Sequence, residues 1–354
     1  MKTIHINELK TILKNSEDSK KELSKYVDVI YTENGFDYIP KKNVTIIAND
    51  GTELTQDSEN LAVKDRRGFV VNPTQHFSLI RSDQAFINFS LGSLFNPIAD
   101  MIIDYERERR IDKFFNKKRT GNYDKIVISV GDSWYQHPLN KDIIDMLDEK
   151  HDNLAIYCIA RAGQELREII AKKEYVSPLK TEKASVFLLS AGGNDILADT
   201  SAFVYDYDPN KTAREHLNKE FYNKLEQLEF WYKEIFSGVQ LYSKSVEKII
   251  VNSYAYPIPI QTGDGRFGHW IGKNLSKKRK IKDHDLQKAI IAEMINDMYA
   301  TLLKVSKLPE YGGKIILMDF REKLKKVSNW FDEIHPNKAN NTIFADMIFN
   351  EMSS

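Results

Sequence analysis

One cysteine in 354 residues leaves no internal disulfide to be made. Cys158 lies in the apolar run 153–159 (NLAIYCI), where a small buried hydrophobe is expected, and a reducing compartment fits. Net charge is missing as well. Lys plus Arg and Asp plus Glu stand at 51 each, so no global field draws the chain to nucleic acid or to an anionic membrane, and no nucleic-acid partner is expected. Long apolar runs are absent: the best candidate for a membrane span, Phe86 to Tyr105, is broken by Asn88, Asn96, Pro97, Asp100 and Asp104. The opening MKTIHINELKTILKN lacks the uninterrupted apolar core of a signal peptide, so the expected location is cytoplasmic, with signal-independent export still compatible. The histidines show no His-x-x-x-His pair and no cysteines cluster, so no metal is expected. Gly192-Gly193 lacks the spacing of a dinucleotide or phosphate loop, so neither is a nucleotide cofactor. No internal repeat or low-complexity tract stands out.

What is present is the composition of a folded chain, 42% hydrophobic with 17 Tyr and 18 Phe. From about Gly121 onward, short apolar runs alternate with long amphipathic ones, the pattern of a parallel sheet covered by helices. The runs are Lys125 to Val130, Asn153 to Ile159, Ala184 to Ser190, Lys248 to Ser253 and Lys314 to Phe320, which makes five strands. Rich in Val, Ile and Leu with little alternation, they are expected to be buried on both faces. Leu217, Phe221, Leu225, Leu228, Tyr232, Ile235, Val239, Tyr242 and Val246 lay one stripe along a long helix; Ile291, Ile295, Met298, Leu302 and Val305 lay another. Residues 1–120 read as a separate α+β module of unknown role, with a helix over Asn7 to Val27 and extended pieces at Val44 to Ala48 and Gly68 to Val71. A turn is expected at Asn49-Asp50-Gly51, and a helix starting at Pro97 that runs into Glu106 to Arg110. Lys117 to Gly121 marks the boundary with a second domain, 121–354.

In an open parallel sheet, function collects beyond the carboxyl ends of the strands. Gly131-Asp132-Ser133-Trp134 follows the first strand, Arg161-Ala162-Gly163 the second, and Gly192-Gly193-Asn194-Asp195 the third. Asp332-Glu333-Ile334-His335-Pro336 comes after the fifth. A serine, a glycine, an asparagine and an aspartate with a histidine are thereby brought to one edge, the makings of an acyl-transfer site. Residue 135 is tyrosine, so the Gly-x-Ser-x-Gly elbow of the α/β-hydrolases, the runner-up fold, is absent. Asp132 is expected to order the turn around Ser133. His137, before Pro138, reads as a surface residue at a loop or helix start.

In these blocks and their order, the sequence resembles the SGNH hydrolase family, also called the GDSL esterases and lipases. The resemblance covers about Tyr123 to Ser354. Ser133 matches the family nucleophile, Gly163 the second-block glycine, Asn194 the asparagine of GGND, and Asp332 with His335 the DxxH pair; tryptophan follows the serine where the family name has leucine. The resemblance implies a flavodoxin-like α/β fold with a five-stranded parallel sheet between helices, and an esterase or lipase working through Ser133, His335 and Asp332. The backbone N–H groups of Ser133 and Gly163 and the Asn194 amide would form the oxyanion hole. The long segment Tyr254 to Lys280 places Tyr254, Tyr256, Phe267 and Trp270 where they can wall a substrate pocket, with Lys277 to Lys280 as a solvated rim. Those aromatics favour lipid or lysophospholipid acyl esters. A carbohydrate O-acetylesterase is the alternative, and a non-catalytic binding module on the same scaffold is a third. The expected partner is the small-molecule or lipid ester itself, and the oligomeric state is not readable.

Overall fold

The computed structural model describes residues 2–15, 22–32, 35–49, 51, 53–57, 60–64, 70–71, 97–261, 266 and 270–354. The chain divides into two compact units, Met1–Arg109 and Arg110–Ser354. In the first, β1 (Lys2–His5) leads directly into α1 (Ile6–Lys14), whose apolar positions Ile6, Leu9 and Leu13 are all buried. That spacing ends at Leu13. The helix therefore stops at Asn15 instead of reaching Val27, and Val27 opens a strand. β2 (Val27–Thr32) and β3 (Gly35–Pro40) form an antiparallel pair. β4 (Val44–Ile47) lies parallel to β1, followed by β5 (Glu53–Asp57), β6 (Asn60–Lys64) and β7 (Val70–Val71) in an antiparallel run. Asp50 of the expected turn, Gly68 and Phe69 of the expected extended piece, and Phe86 to Asn96 lie outside the described residues.

α2 (Pro97–Thr120) begins on proline, whose fixed φ and missing N–H suit a first turn. Its first turns pack Ile98, Met101, Ile102 and Tyr105 into the first unit. The division then falls inside this helix, after Arg109, and not at Lys117 to Gly121. Arg110 explains why. Its buried guanidinium pairs with Asp142 at 2.5 Å and Asp145 at 2.9 Å and donates to the Tyr135 carbonyl, all in the second unit. Lys113, Lys117 and Lys118 follow with bonds to Asp148 and Glu182.

The second unit holds a five-stranded, wholly parallel sheet: β8 (Lys125–Gly131), β9 (Leu154–Cys158), β10 (Val186–Ser190), β11 (Lys248–Asn252) and β12 (Ile315–Met318). Its spatial order is β12-β11-β10-β8-β9, the flavodoxin-like arrangement. Every residue of β10, the central strand, is buried, as a strand covered on both faces must be. α3 (Ile143–Lys150) packs against α10 (Lys338–Ser353). A separate helical group packs around α7 (Lys219–Tyr242): α4 (Leu166–Lys172), α5 (Val176–Thr181) and α9 (His284–Ser306). Phe221, Leu228, Tyr232, Ile235 and Val239 form the buried stripe of α7. α6 (Gly193–Leu197) starts just after β10, and α8 (Gly272–Arg279) packs on the turn Thr200–Phe203 and on α9. Among the described residues no helix is long and apolar enough to cross a membrane.

Candidate active site

Strand order decides which loops meet. β8 and β10 are neighbours, and the chain leaves β8 toward β9 on the other side, so the crevice at their carboxyl ends is the topological switch point. Ser133 follows β8 and Asn194 follows β10, and both line a small recess together with Leu197, Tyr254, Pro257 and Ile334. Asp132 holds the serine turn: its buried carboxylate accepts from the Trp134 N–H at 3.0 Å, the Ser190 hydroxyl at 2.9 Å and the Tyr254 hydroxyl. Burial raises its pKa, and these donors pull it back.

The loop after β12 closes on itself through a bridge between Trp330 and Pro336, which brings Asp332 and His335 out of one turn. His335 Nδ1 lies 2.6 Å from Asp332 Oδ2, and its Nε2 lies 2.7 Å from the Ser133 hydroxyl. The other carboxylate oxygen, Oδ1, accepts the N–H groups of Ile334 at 2.9 Å and His335 at 2.8 Å. Burial alone would raise the Asp332 carboxyl, but the imidazoles of His335 and His137 outweigh it and hold it well below the usual carboxylate range. Serine loop and histidine turn are laced together by Trp134 Nε1 donating to the Ile334 carbonyl at 3.2 Å and Asn140 Nδ2 to the Pro336 carbonyl at 2.7 Å. The Trp134 indole stacks at 5.9 Å on Phe344 and at 6.5 Å on Phe320, an aromatic layer beneath the site.

Gly163 has φ +77°, the left-handed region that a side chain resists, in the turn closed by Gln164 N–H to Arg161 carbonyl at 3.1 Å. Among the described residues neither the Gly163 N–H nor the Ser133 N–H has a backbone acceptor. Asn194 Nδ2 spends one hydrogen on the Gln164 carbonyl at 3.1 Å and keeps the other. Gly193 has no room for a side chain: a Cβ would stand 2.7 Å from the Tyr254 ring.

The aromatic loop is arranged differently from a simple pocket wall. Tyr254 is buried and anchors Asp132, and the Trp270 ring meets His335 edge to face at 5.8 Å. Tyr256 turns away to Asn296 at 2.6 Å, and Phe267 lies outside the described residues. Lys278 pairs with Asp199 at 3.4 Å, and Arg279 at 3.2 Å and Lys280 at 4.0 Å both meet Asp206, so much of the basic rim is locally neutralised.

Two residues were not legible as parts of the site. Glu333, fully buried between the two triad-turn residues, accepts three backbone N–H groups: Ile260 and Gly272 at 2.8 Å and Ile271 at 2.6 Å. It thereby ties both ends of the aromatic loop to the histidine turn, and burial pushes its carboxyl up to about 7 against those donors. His137 is buried, not at the surface, with Nε2 3.8 Å from Asp332 Oδ2. His137, Asp332 and His335 thus cluster with ligand atoms within 4.8 Å of one another, although their sequence spacing shows no metal pattern. The cluster does not fit a metal. His137 Nδ1 accepts the N–H groups of Leu139 and Asn140, which leaves the ring proton on Nε2, the only nitrogen that faces the others.

No family model and no curated protein matches the chain. Solved structures similar to it include an acetylxylan esterase from Geobacillus stearothermophilus (14% identity over 66% of this chain and 96% of that one, TM-score 0.38). An extracellular lipase from Streptomyces rimosus is another (13% identity over 65% of this chain and 100% of that one, TM-score 0.41). A third, described as an alpha/beta hydrolase enzyme from the metagenome of Lake Arreo, Spain, has 15% identity over 64% of this chain and 94% of that one, with a TM-score of 0.40. The fold class rests on strand order and parallel register, not on these superpositions.

Proposed function

We propose that the chain is a serine-dependent carboxylic ester hydrolase of the SGNH type. The observation that carries this reading is the unbroken line from Ser133 Oγ through His335 to Asp332, with contacts of 2.7 and 2.6 Å. His335 Nε2 takes the serine proton as Oγ attacks the ester carbonyl, and Asp332 holds the imidazolium that forms. The carbonyl oxygen becomes an oxyanion and is received by the N–H groups of Ser133 and Gly163 and by Asn194. As the intermediate collapses, His335 returns the proton to the departing alcohol and leaves an acyl-Ser133. Water, deprotonated by His335, then releases the acid.

The acyl side supported best is short. The recess at Ser133 is small, with an enclosed volume of about 10 Å³, and Tyr254, which lines it, is held in place by its hydroxyl on Asp132. A short acyl group such as acetyl is therefore favoured over a long lipid chain, and a carbohydrate O-acetyl ester is one substrate of that kind. Turnover of p-nitrophenyl esters of graded length, beside an acetylated sugar, tests this. The expected result is acetate and propionate ester hydrolysis that falls with chain length and is lost in Ser133→Ala. Preference for long chains would restore the lipid reading, and no turnover of any ester would favour a binding module.

A further inference from the structure

His137 is the part of this centre that the three-residue line does not use, and its two ring nitrogens have unequal surroundings. Nδ1 accepts from Leu139 N–H at 3.1 Å and from Asn140 N–H at 2.9 Å. A nitrogen that accepts two donors carries no proton, so the ring is the Nε2–H tautomer. That N–H faces Asp332 Oδ2 at 3.8 Å, the same oxygen that His335 Nδ1 contacts at 2.6 Å. The two imidazoles meet edge to face with centroids 4.4 Å apart, and Phe331 covers the His137 ring at 5.3 Å. From behind, the His137 backbone N–H is held by Asp142 Oδ2 at 2.9 Å, which is itself paired with Arg110. The ring is held through Nδ1 and the residue through its backbone N–H.

We propose that His137 is a positioning residue for the triad: its Nε2–H shares the Asp332 carboxylate with His335 and disperses the negative charge that acts on the His335 imidazolium. At 3.8 Å the contact is longer than a ground-state hydrogen bond, as catalytic contacts in unliganded sites often are before they tighten along the reaction. His137 is also among the groups that hold Asp332 ionised. The other charged or titratable groups around the pair are Glu333 beside Asp332, Arg266 on the Asp332 carbonyl, Asp132 on the serine turn, and Asp142 with Arg110 behind His137. The inference rests on the triad reading of Ser133, His335 and Asp332.

Two variants separate the functions of the two nitrogens. His137→Asn keeps an acceptor where Nδ1 stands and removes the donor, whereas His137→Gln places an amide N–H near Nε2 and removes the acceptor. Both are assayed with p-nitrophenyl acetate across pH, with circular dichroism to confirm folding. Expected for His137→Asn is a kcat roughly tenfold lower at unchanged KM, the scale on which partners of metal-bound imidazoles act. The acid limb of its kcat/KM profile should move up by roughly half a unit to one unit, as His335 then feels the undispersed Asp332 charge. His137→Gln should keep the parent acid limb. An Asn variant with parent kcat and parent acid limb overturns the proposal, and so does a Gln variant that shifts while Asn does not, which would reduce His137 to a loop cap. Activity retained by Ser133→Ala in the same assay would instead overturn the triad reading itself.

Discussion

On the proposed mechanism Ser133 becomes a nucleophile only through what surrounds it, and each neighbour has a separable consequence. If Asn194 is the oxyanion donor proposed above, Asn194→Ala should lower kcat by about a hundredfold to a thousandfold with KM little changed; a mainly KM effect would make Asn194 a substrate-binding residue instead. Asp332 gives a pH dependence of stability. Its pKa is lowered in the folded state, so its contribution is fully present above the unfolded carboxylate value, about 4, and is lost as pH falls through the lower folded value. Chemical denaturation between pH 6 and 3 should show the wild type losing more stability than Asp332→Asn, and parallel curves would refute this. Ser133, Gly163 and Asn194 could be singled out because each sits in a short block after a strand that periodicity already locates, and Asp332 with His335 because the DxxH block stands out beyond β12 and its connecting segment. His137 could not be. Its burial depends on Asp142 and on the turn 331–335, and a histidine before proline carries no local sign of that.

Glu333 acts at the level of elements, joining the turn after β12 to both ends of the segment between β11 and α8. Glu333→Ala leaves three buried N–H groups unsatisfied, each costing about 1 to 3 kcal/mol. A large fall in melting temperature is expected, together with new proteolytic cleavage between residues 260 and 272. A variant that melts and resists protease like the wild type would show that the clamp is dispensable. The five strands and the helices α7 and α9 were readable because period and length agree over whole segments. α1 was misjudged in extent: its apolar spacing ends at Leu13, and the charged stretch that follows carries no period to set a boundary. The loop aromatics were visible as a group, but their directions were not, since Tyr254 and Tyr256 diverge to Asp132 and Asn296.

For the whole molecule, Arg110 matters more than its place in a charged run suggests. Burial pushes the Asp142 carboxyl up and the Arg110 guanidinium beside it opposes that, while Asp142 also holds the backbone of His137. Arg110→Ala strands that carboxylate, and breaking such a buried pair costs about 3 to 5 kcal/mol. The expected outcome is a strongly lowered denaturation midpoint, and for the same reason a fragment starting at Gly121 should be less stable than one starting at Pro97. Equal stability of the two fragments would contradict this. The sequence marked the basic stretch near Lys117 as a connection because a charge run is usually solvated; that Arg110 faces inward depends on Asp142 and Asp145, which no local pattern links to it. The central claim, that one serine of this chain is activated for acyl transfer, is tested most directly by intact-mass spectrometry after reaction with a fluorophosphonate. One adduct per chain is predicted, mapped to Ser133 and absent from Ser133→Ala and from His335→Ala; no adduct, or one at another residue, would contradict it.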